Sequence, residues 1–271
     1  MTGPVGPSVA SPPGPAGTPD PGFRKRALER WDRVLLVHEV LSLLAKAQDG
    51  PEPAHLLELG CRTGLVSRFL ARRCPAALIA VDVSEERLAL ASARAPGVLW
   101  LRRDPRYLSA PLPGAPFDLI VVHPWTTGAV RPDRMERWLR DLAALLQGPG
   151  AGRRAAAPAG RAGGRLFLTL YRHSQLAQRW GHRTGGRDSA DWAWAWEARY
   201  DGAGHHQELH LMAFVPTHVP TRFARMDDVV GLHHHPDEAL LAASRAAGLE
   251  GGEHPVARTG SLLLYRLRRT P

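Results

Sequence analysis

The chain has 271 residues, of which 44% are hydrophobic and 23% are charged, so its composition is that of a globular protein and excludes a fibrous one. Its net charge of +9 comes from 35 basic residues, and since only Lys25 and Lys46 are lysines, the other 33 are arginines. Together with 27 glycines and 24 prolines, this bias is typical of GC-rich codon usage, so the charge alone does not indicate a nucleic-acid partner. Two cysteines, Cys61 and Cys74, are too few for a disulfide framework, and no apolar run is long enough to cross a membrane, which predicts a cytoplasmic location.

Composition also divides the chain into a tail and one domain. Residues 1–22 consist mainly of Pro, Gly, Ala, Ser and Thr and show no signal-peptide pattern, which predicts a disordered tail. Residues 23–271 are expected to form a single domain. Inside it, a run of Gly, Ala, Pro and Arg at 148–164 predicts a flexible insertion, and residues 172–235 form a second insertion that is longer than a minimal core needs.

Helices and strands alternate along the domain. Apolar residues at helical spacing predict an amphipathic helix over 27–46, which is followed by a buried strand at 55–59. The later predicted elements are a helix at 65–72, a strand at 78–82, a helix at 85–93 capped by Ser84, strands at 98–101 and 119–122, a helix at 134–146, a strand at 165–170, a helix at 236–247 and a strand at 261–267. This alternation predicts an α/β fold with a doubly wound, mostly parallel sheet.

The first strand runs into a glycine-containing turn, Glu58-Leu59-Gly60-Cys61-Arg62-Thr63-Gly64. Glycines there let the backbone approach a ligand at the carboxyl edge of the sheet. Asp82 closes the next strand, where a carboxylate can accept hydrogen bonds from both hydroxyls of a ribose. The combination predicts a nucleoside-containing cofactor, whereas each feature alone is equally typical of a tight turn or of an acid at a helix start.

These residues resemble the class I S-adenosylmethionine-dependent methyltransferases. The family's acidic and glycine motif matches Glu58, Gly60 and Gly64, Asp82 stands at the ribose-binding position, and Asp104 stands where the family binds the adenine amino group. The resemblance implies a Rossmann-like methyltransferase fold with a seven-stranded sheet, and S-adenosyl-L-methionine as the cofactor. The cofactor-binding residues that it implies are Glu58, Gly60, Cys61, Arg62, Gly64, Asp82, Val83, Asp104 and His123.

Arg62 departs from the family motif, which has a glycine at this position. A long cationic side chain there can obstruct the cofactor or can touch its carboxylate, and we expect a working site. The Gly-x-Gly-x-x-Gly spacing of dinucleotide folds is absent, and so is the Gly-Lys-Ser/Thr sequence of phosphate-binding loops. A nucleotide-binding enzyme of another chemistry is therefore the weaker interpretation.

Two residues are candidates for catalysis, because an acceptor that must lose a proton needs a base. His123 follows the fourth strand and Tyr171 ends the fifth, where ligands gather in open parallel sheets. His173 and Trp125 are candidates for binding the acceptor at the same edge; packing of loops is the alternative for all four. His123-Pro124-Trp125 matches only in part the motif of nucleic-acid amino methyltransferases, in which an aromatic ring stacks on a flipped base.

The second insertion contains Trp192, Trp194 and Trp196, which alternate along a predicted strand and so share one of its faces. A turn at 201–204 and a second strand at 207–214 follow, which predicts a β-hairpin lid. The three rings are candidates for the wall of the acceptor pocket, and the alternative is that they cover the sheet edge. No metal is expected, because consecutive histidines such as 233–235 point to opposite faces of a strand.

The resemblance implies methyl transfer to an oxygen or nitrogen atom of a small-molecule or peptide acceptor, such as a specialised metabolite or a modified peptide, by a monomer or homodimer. Two further alternatives stay open. One is a nucleic-acid methyltransferase, which the arginines favour; the other is a non-catalytic binding protein of the same fold, which Arg62 favours.

Overall fold

The structure is a computed structural model that describes residues 21–47, 52–73, 77–108, 112–146, 163–188, 192–203, 205–216, 223–252 and 254–270. Nearly all of the predicted tail and of the predicted insertion at 148–164 lies outside these ranges, as does Cys74. No helix in the described ranges is both long enough and apolar enough to cross a membrane.

The described residues form seven α-helices and twelve β-strands. The helices are α1 (Pro21–Val34), α2 (Val37–Lys46), α3 (Leu65–Arg73), α4 (Glu85–Arg94), α5 (Pro124–Ala129), α6 (Met135–Leu145) and α7 (Asp237–Ala246). The strands are β1 (His55–Leu59), β2 (Ala77–Asp82), β3 (Leu99–Arg102), β4 (Leu119–Val122), β5 (Arg165–Tyr171), β6 (Arg183–Asp188), β7 (Ala193–Asp201), β8 (His206–Pro216), β9 (Phe223–His233), β10 (Leu249–Glu250), β11 (Ala257–Arg258) and β12 (Leu262–Arg269).

The central sheet has the strand order β10-β12-β5-β4-β1-β2-β3, and β11 pairs with β12 at one side. Strands β1 to β5 pair in parallel, whereas β12 runs antiparallel to β5. The doubly wound, mostly parallel sheet of seven strands is thus confirmed, with the two-residue strand β11 added. The strand order reverses between β1 and β4, and ligands of such sheets bind at the carboxyl ends of the strands at this point.

Side chains along each strand alternate between the two faces of the central sheet, so the core has two layers. Leu56, Val121 and Phe167 pack into one hydrophobic cluster, and their chain neighbours pack into the other. Successive side chains of a strand point to opposite faces, so a strand covered by helices on both sides must be apolar throughout. All four residues of β4 are buried, as such a position requires.

The predicted helix at 27–46 is wrong in one respect, because the chain forms two helices there. Leu36 adopts a left-handed backbone conformation with φ of 65°, and α2 begins at the next residue. Helical spacing of the apolar residues continues across the break, so Trp31 and Leu35 before it and Val40 and Leu44 after it are all buried. Because the residues before and after the break are buried on the same side, the periodicity of apolar residues does not reveal the break.

An antiparallel sheet, here called the lid sheet, consists of β6 to β9 in that order. The predicted hairpin is confirmed as β7 and β8, whose register pairs Trp194 with Ala213 and Trp196 with Leu211. Two flanking strands were not predicted: β6 contains the sequence Arg-Thr-Gly-Gly-Arg-Asp, which has little apolar character, and β9 carries Asp227 and Asp228 in its centre. The lid sheet lies on α5, because Gly128 is close enough to Leu232 that an added Cβ would be 3.0 Å from its Cδ2.

Candidate active site

A cavity of about 470 Å³ lies where β1 and β2 end, and residues of the lid sheet form one side of it. From the central sheet and its loops, the cavity is lined by Gly60, Arg62, Asp82, Val83, Asp104 and Trp125. From the lid sheet it is lined by His206, Asp228 and His233, among others. Five of the nine predicted cofactor-binding residues therefore meet in one cavity.

Gly60 and Gly64 are required by close packing of the turn after β1. Both have positive φ angles, 81° and 76°. A Cβ on Gly60 would lie 1.9 Å from Thr126 Oγ1, and one on Gly64 would lie 2.7 Å from Ala91 Cβ. The Trp125 indole also donates a hydrogen bond to Gly60 O at 2.7 Å, so α5 is fixed against the turn.

The Asp82 carboxylate is held by two backbone donors at the rim of the cavity. Its Oδ2 accepts a hydrogen bond from Arg62 N at 2.9 Å, and its Oδ1 accepts one from Ser84 N at 2.9 Å. Only 4% of the residue is exposed. A carboxylate has about four acceptor positions, so both oxygens keep capacity for the two hydroxyls of a ribose.

The next two predicted contacts follow along the same edge. The Val83 side chain is 54% exposed and lines the cavity, which offers an apolar surface to a flat ring. Asp104 also lines the cavity, and its carboxylate is bonded to Arg106, with Nη2 to Oδ2 at 2.6 Å. An adenine amino group that donates a hydrogen bond to Asp104 would thus add to an existing ion pair.

Arg62 adopts a left-handed conformation with φ of 51°, and its side chain is buried. The guanidinium Nε donates to Asp32 Oδ1 of α1 at 2.5 Å, and Nη2 lies 4.0 Å from Asp228 Oδ2 of the lid sheet. Burial disfavours the charged form, but the carboxylates of Asp32 and Asp228 outweigh this and raise the pKa of Arg62. Within the described part of the chain, Nη2 has no hydrogen-bond partner although it is buried.

The lid sheet is tied to the central domain by a second arginine, Arg87 of α4. Its Nη2 forms an ion pair with Asp228 Oδ2. Burial and then the neighbouring positive charge of Arg62 lower the pKa of Arg87, against the opposing effect of Asp228. Asp228 therefore joins the lid sheet to two arginines at the cavity, the buried Arg62 and the partly buried Arg87.

The two predicted catalytic residues lie outside the described lining of the cavity. The His123 ring is fully buried, with Nε2 2.7 Å from Glu58 Oε1, and it stacks on Trp125 with ring centroids 4.7 Å apart. The Tyr171 hydroxyl donates to Leu35 O at 3.0 Å, and burial raises the pKa of the phenol. Glu58, Cys61 and Gly64 likewise lie outside the described lining of the cavity. Burial raises the pKa of the Cys61 thiol far above its usual value.

The predicted acceptor-binding residues are distributed over three places. Trp125 lines the cavity, whereas His173 is exposed and its Nε2 lies 3.1 Å from Tyr200 OH. Trp194 and Trp196 lie on β7, and Trp192 immediately precedes it. All three rings pack against a hydrophobic core cluster, and none is among the residues that line the described cavity wall. Trp192 makes an edge contact with Phe23 of α1, at 6.4 Å between ring centroids.

Among the cavity residues that the sequence analysis does not assign to the site are four with charged or imidazole side chains: Arg87, His206, Asp228 and His233. Three of them belong to the lid sheet, and the histidines are part of the histidine-rich segments at 205–206 and 233–235. In the sequence analysis these segments are considered only as metal ligands, and β9 is not predicted. That interpretation therefore gives no reason to expect Asp228 beside the turn after β1. The signal was present in Asp227-Asp228 between apolar residues of a strand.

A second cavity of about 490 Å³ adjoins the first and shares Arg106, Ala129 and Arg131 with it. Its wall also includes Arg134 and Arg137. A ligand that extends out of the first cavity would meet several guanidinium groups there, which bind phosphate and carboxylate groups well.

The residues of the first cavity fit S-adenosylmethionine. Asp82 offers two oriented acceptor oxygens for the ribose, and Val83 and Asp104 stand beside it for the adenine. The Nη2 of Arg62 is a buried charged donor that has no hydrogen-bond acceptor among the described residues, and the carboxylate of the methionine part of the cofactor would satisfy it.

Comparison with known proteins agrees with this geometry. Residues 56–150 match the family model described as a methyltransferase domain. No significant match is found among curated protein sequences.

Solved structures with the same fold cover nearly the whole chain. CalS10 from Micromonospora echinaspora, an amino pentose methyltransferase solved with S-adenosylmethionine bound, is 22% identical with a TM-score of 0.59, covering 92% of this chain and 95% of its own. The sugar N-methyltransferase KedS8 from a Streptoalloteichus species is 19% identical with a TM-score of 0.62, and the match covers 99% of this chain and 100% of KedS8. An S-adenosylmethionine-dependent methyltransferase from Clostridium acetobutylicum is 16% identical with a TM-score of 0.62, covering 90% and 92%.

At these identities the structural likeness establishes the fold, and the family-model match covers the turn after β1, Asp82 and Asp104. Residues 56–150 therefore match a methyltransferase domain, and the chain has the fold of the S-adenosylmethionine-dependent methyltransferases.

Proposed function

We propose that this enzyme methylates an oxygen or nitrogen atom of a small polar molecule, with an amino sugar as the first acceptor class to test. The observation that carries the proposal is the single cavity shared by the cofactor-binding loop residues and polar side chains of the lid sheet. Its volume of about 470 Å³ lies in the usual range of roughly 300–1,000 Å³ for small-molecule sites.

The lid side of the cavity is polar. His206, Asp228 and His233 present imidazole and carboxylate groups, which hydrogen-bond to hydroxyl and amino groups of an acceptor. CalS10 and KedS8, which share the fold, act on amino pentose and sugar nitrogen respectively, and this supports the same class of acceptor here.

S-adenosylmethionine supplies an electrophilic methyl group on its sulfonium sulfur. The chain's own residues would bind and orient: Asp82 holds the ribose, Arg62 holds the carboxylate, and Asp228 positions the acceptor from the lid sheet. The lid sheet also excludes water, which favours alignment over hydrolysis.

The nucleic-acid alternative receives less support from the geometry. Trp125 is the ring that would stack on a flipped base, and its indole nitrogen is bonded to Gly60 O while the ring stacks on His123. The guanidinium carbon of Arg62 also lies 5.8 Å from the Trp125 ring centroid. These contacts hold Trp125 against the turn after β1, which disfavours stacking of its ring on a flipped base.

The test is a mass-spectrometric screen of acceptors with S-adenosylmethionine. The panel contains amino sugars, matched sugars with a hydroxyl in place of the amine, phosphate-bearing versions of both, and short DNA and RNA oligonucleotides. The arginines of the adjoining cavity motivate the phosphate-bearing compounds.

We expect a sugar product whose mass increases by one methyl group, together with an equimolar amount of S-adenosylhomocysteine. Asp82→Ala is the control against a contaminating enzyme and should form neither product. Methylation of oligonucleotides alone would refute the small-molecule assignment. Tight cofactor binding without methylation of any compound would favour the non-catalytic alternative.

A further inference from the structure

Three histidines from separate parts of the chain meet outside the cofactor cavity. His173 follows β5, His205 precedes β8, and His234 follows β9. Their ligand nitrogens all lie within 4.8 Å of one another. These three residues are called the histidine cluster below.

The backbone and neighbouring rings hold the histidine cluster together. His234 N donates to His205 O at 2.8 Å, and the His234 ring centroid lies 4.8 Å from that of His173 and 5.8 Å from that of His205. His205 has a φ of 48°, a left-handed conformation that is unfavourable for a residue with a Cβ. A strained residue of this kind persists where its surroundings require that position.

The Tyr200 hydroxyl lies close to two members of the histidine cluster. Tyr200 OH lies 3.1 Å from His173 Nε2 and 3.5 Å from His205 Nδ1. His234 Nδ1 is buried and has no partner among the described residues.

We propose that His173, His205 and His234 bind one divalent transition-metal ion, with Zn²⁺ as the first candidate. Neutral imidazoles are the preferred ligands of Zn²⁺, Cu²⁺ and Ni²⁺, and the group contains no carboxylate of the kind that Mg²⁺ or Ca²⁺ requires. Zinc holds nitrogen ligands at about 2.0–2.1 Å, so the rings must close inward slightly. His173 and His205 are exposed and free to make that rotation.

The fold changes the expectation drawn from consecutive histidines. Adjacent residues of a strand cannot supply several ligands to one ion, and the histidine cluster takes one residue from each of three segments instead. Such a site has three protein ligands and leaves a fourth position for water.

The position of the histidine cluster assigns a structural role to the ion. His205 and His234 belong to the lid sheet connections, whereas His173 follows a strand of the central sheet. Their chain neighbours His206 and His233 line the cofactor cavity. A bound ion would therefore pin this end of the lid sheet to the central domain and fix two residues of the cavity wall.

The test is calorimetric titration of Zn²⁺ into the full chain, purified without a polyhistidine tag and stripped with a chelator. We expect one ion per chain and a loss of affinity of at least tenfold in His173→Ala and His234→Ala. His38→Ala is the matched control, because His38 is exposed on α2 and lies outside the histidine cluster, and it should bind as the wild type does.

Titration of wild-type protein with Co²⁺ gives a readout that needs no variant to fold. The proposal predicts the intense visible absorption of tetrahedral Co²⁺, saturating at one equivalent and abolished by Zn²⁺. Absence of stoichiometric binding, a spectrum without tetrahedral bands, or equal affinity in His173→Ala, His234→Ala and wild type would each overturn it. None of these measurements depends on the cofactor or the acceptor, so their failure is distinguishable from failure of the proposed function.

Discussion

Arg62 stands where the methyltransferase motif has a glycine, and its guanidinium joins three elements of the structure. It is bonded to Asp32 of α1, lies beside Asp228 of the lid sheet and reaches the wall of the cavity. Thr63 Oγ1 donates to the other oxygen of Asp32 at 2.5 Å. The turn after β1 is thus tied to the N-terminal helix through a buried carboxylate.

Replacement of Arg62 should destabilise the protein more than a surface change would. Arg62→Ala leaves the Asp32 carboxylate buried without its cation, and breaking a buried pair costs about 3–5 kcal/mol. The free energy of unfolding from urea denaturation measures this cost. Addition of Asp32→Asn should recover a large part of it, because the uncompensated charge is removed. A free energy within about 1 kcal/mol of wild type for Arg62→Ala would contradict the role assigned to the pair.

The sequence predicts that Gly60, Asp82 and Asp104 lie together, because each stands at the carboxyl end of a strand. Gly60 and Asp104 follow β1 and β3, Asp82 is the last residue of β2, and all three line one cavity because the strands are parallel. Asp228 and Arg87 are 141 positions apart, and only the docking of the lid sheet brings them together. Sequence spacing carries no signal for such a pair.

At the scale of elements, the lid sheet presents one face to the domain. Leu209, Leu211 and Ala213 of β8 are fully buried, and the register places them beside Ala198, Trp196 and Trp194 of β7. On β9, the partners of Leu211 and Leu209 are Asp228 and Val230, which line the cavity. This face of the lid sheet therefore provides apolar packing through β7 and β8, and it forms part of the cavity wall through β9.

Trp194→Ala distinguishes packing from acceptor binding. Trp194 packs against the core cluster and is half-buried, so its loss should cost on the order of 2 kcal/mol, below the roughly 3–5 kcal/mol of a fully buried ring. We expect an earlier melting transition and no greater loss of affinity for the acceptor than for S-adenosylhomocysteine, measured on one preparation. Phe223→Ala, which removes an exposed ring of the same sheet, is the control and should change neither.

A selective loss of acceptor affinity in Trp194→Ala, with an unchanged melting temperature, would instead place that ring in the acceptor pocket.

Periodicity and turn residues predict most of the elements, since the strands of the central sheet are buried on both faces and the helices are amphipathic. The exceptions have local causes. The helix break at Leu36 lies inside an unbroken apolar pattern, and α5 is a short helix whose residues are nearly all buried and so show no polar face. β6 has almost no apolar residues and is recognisable only through its pairing with β7.

At the scale of the whole molecule, the central sheet supplies the cofactor edge and the lid sheet supplies the opposite wall of one cavity. The ion pair between Arg87 and Asp228 and the packing of Leu232 on Gly128 hold the two together. Movement of the lid sheet away from the central sheet would break this partly buried ion pair. This arrangement suits a reaction that requires exclusion of water and alignment of two ligands.

The central claim is that this cavity binds S-adenosylmethionine through Asp82, and titration calorimetry with S-adenosylhomocysteine tests it most directly. The account predicts binding at one molecule per chain by the wild type, and a loss of at least about 3 kcal/mol, roughly a hundredfold in affinity, in Asp82→Ala, since two hydrogen bonds to a charged acceptor disappear. Asp188→Ala, at an exposed position of β6, should bind like the wild type, and circular dichroism should show that both variants are folded. No binding by the wild type, or equal affinity in folded Asp82→Ala, would contradict the account.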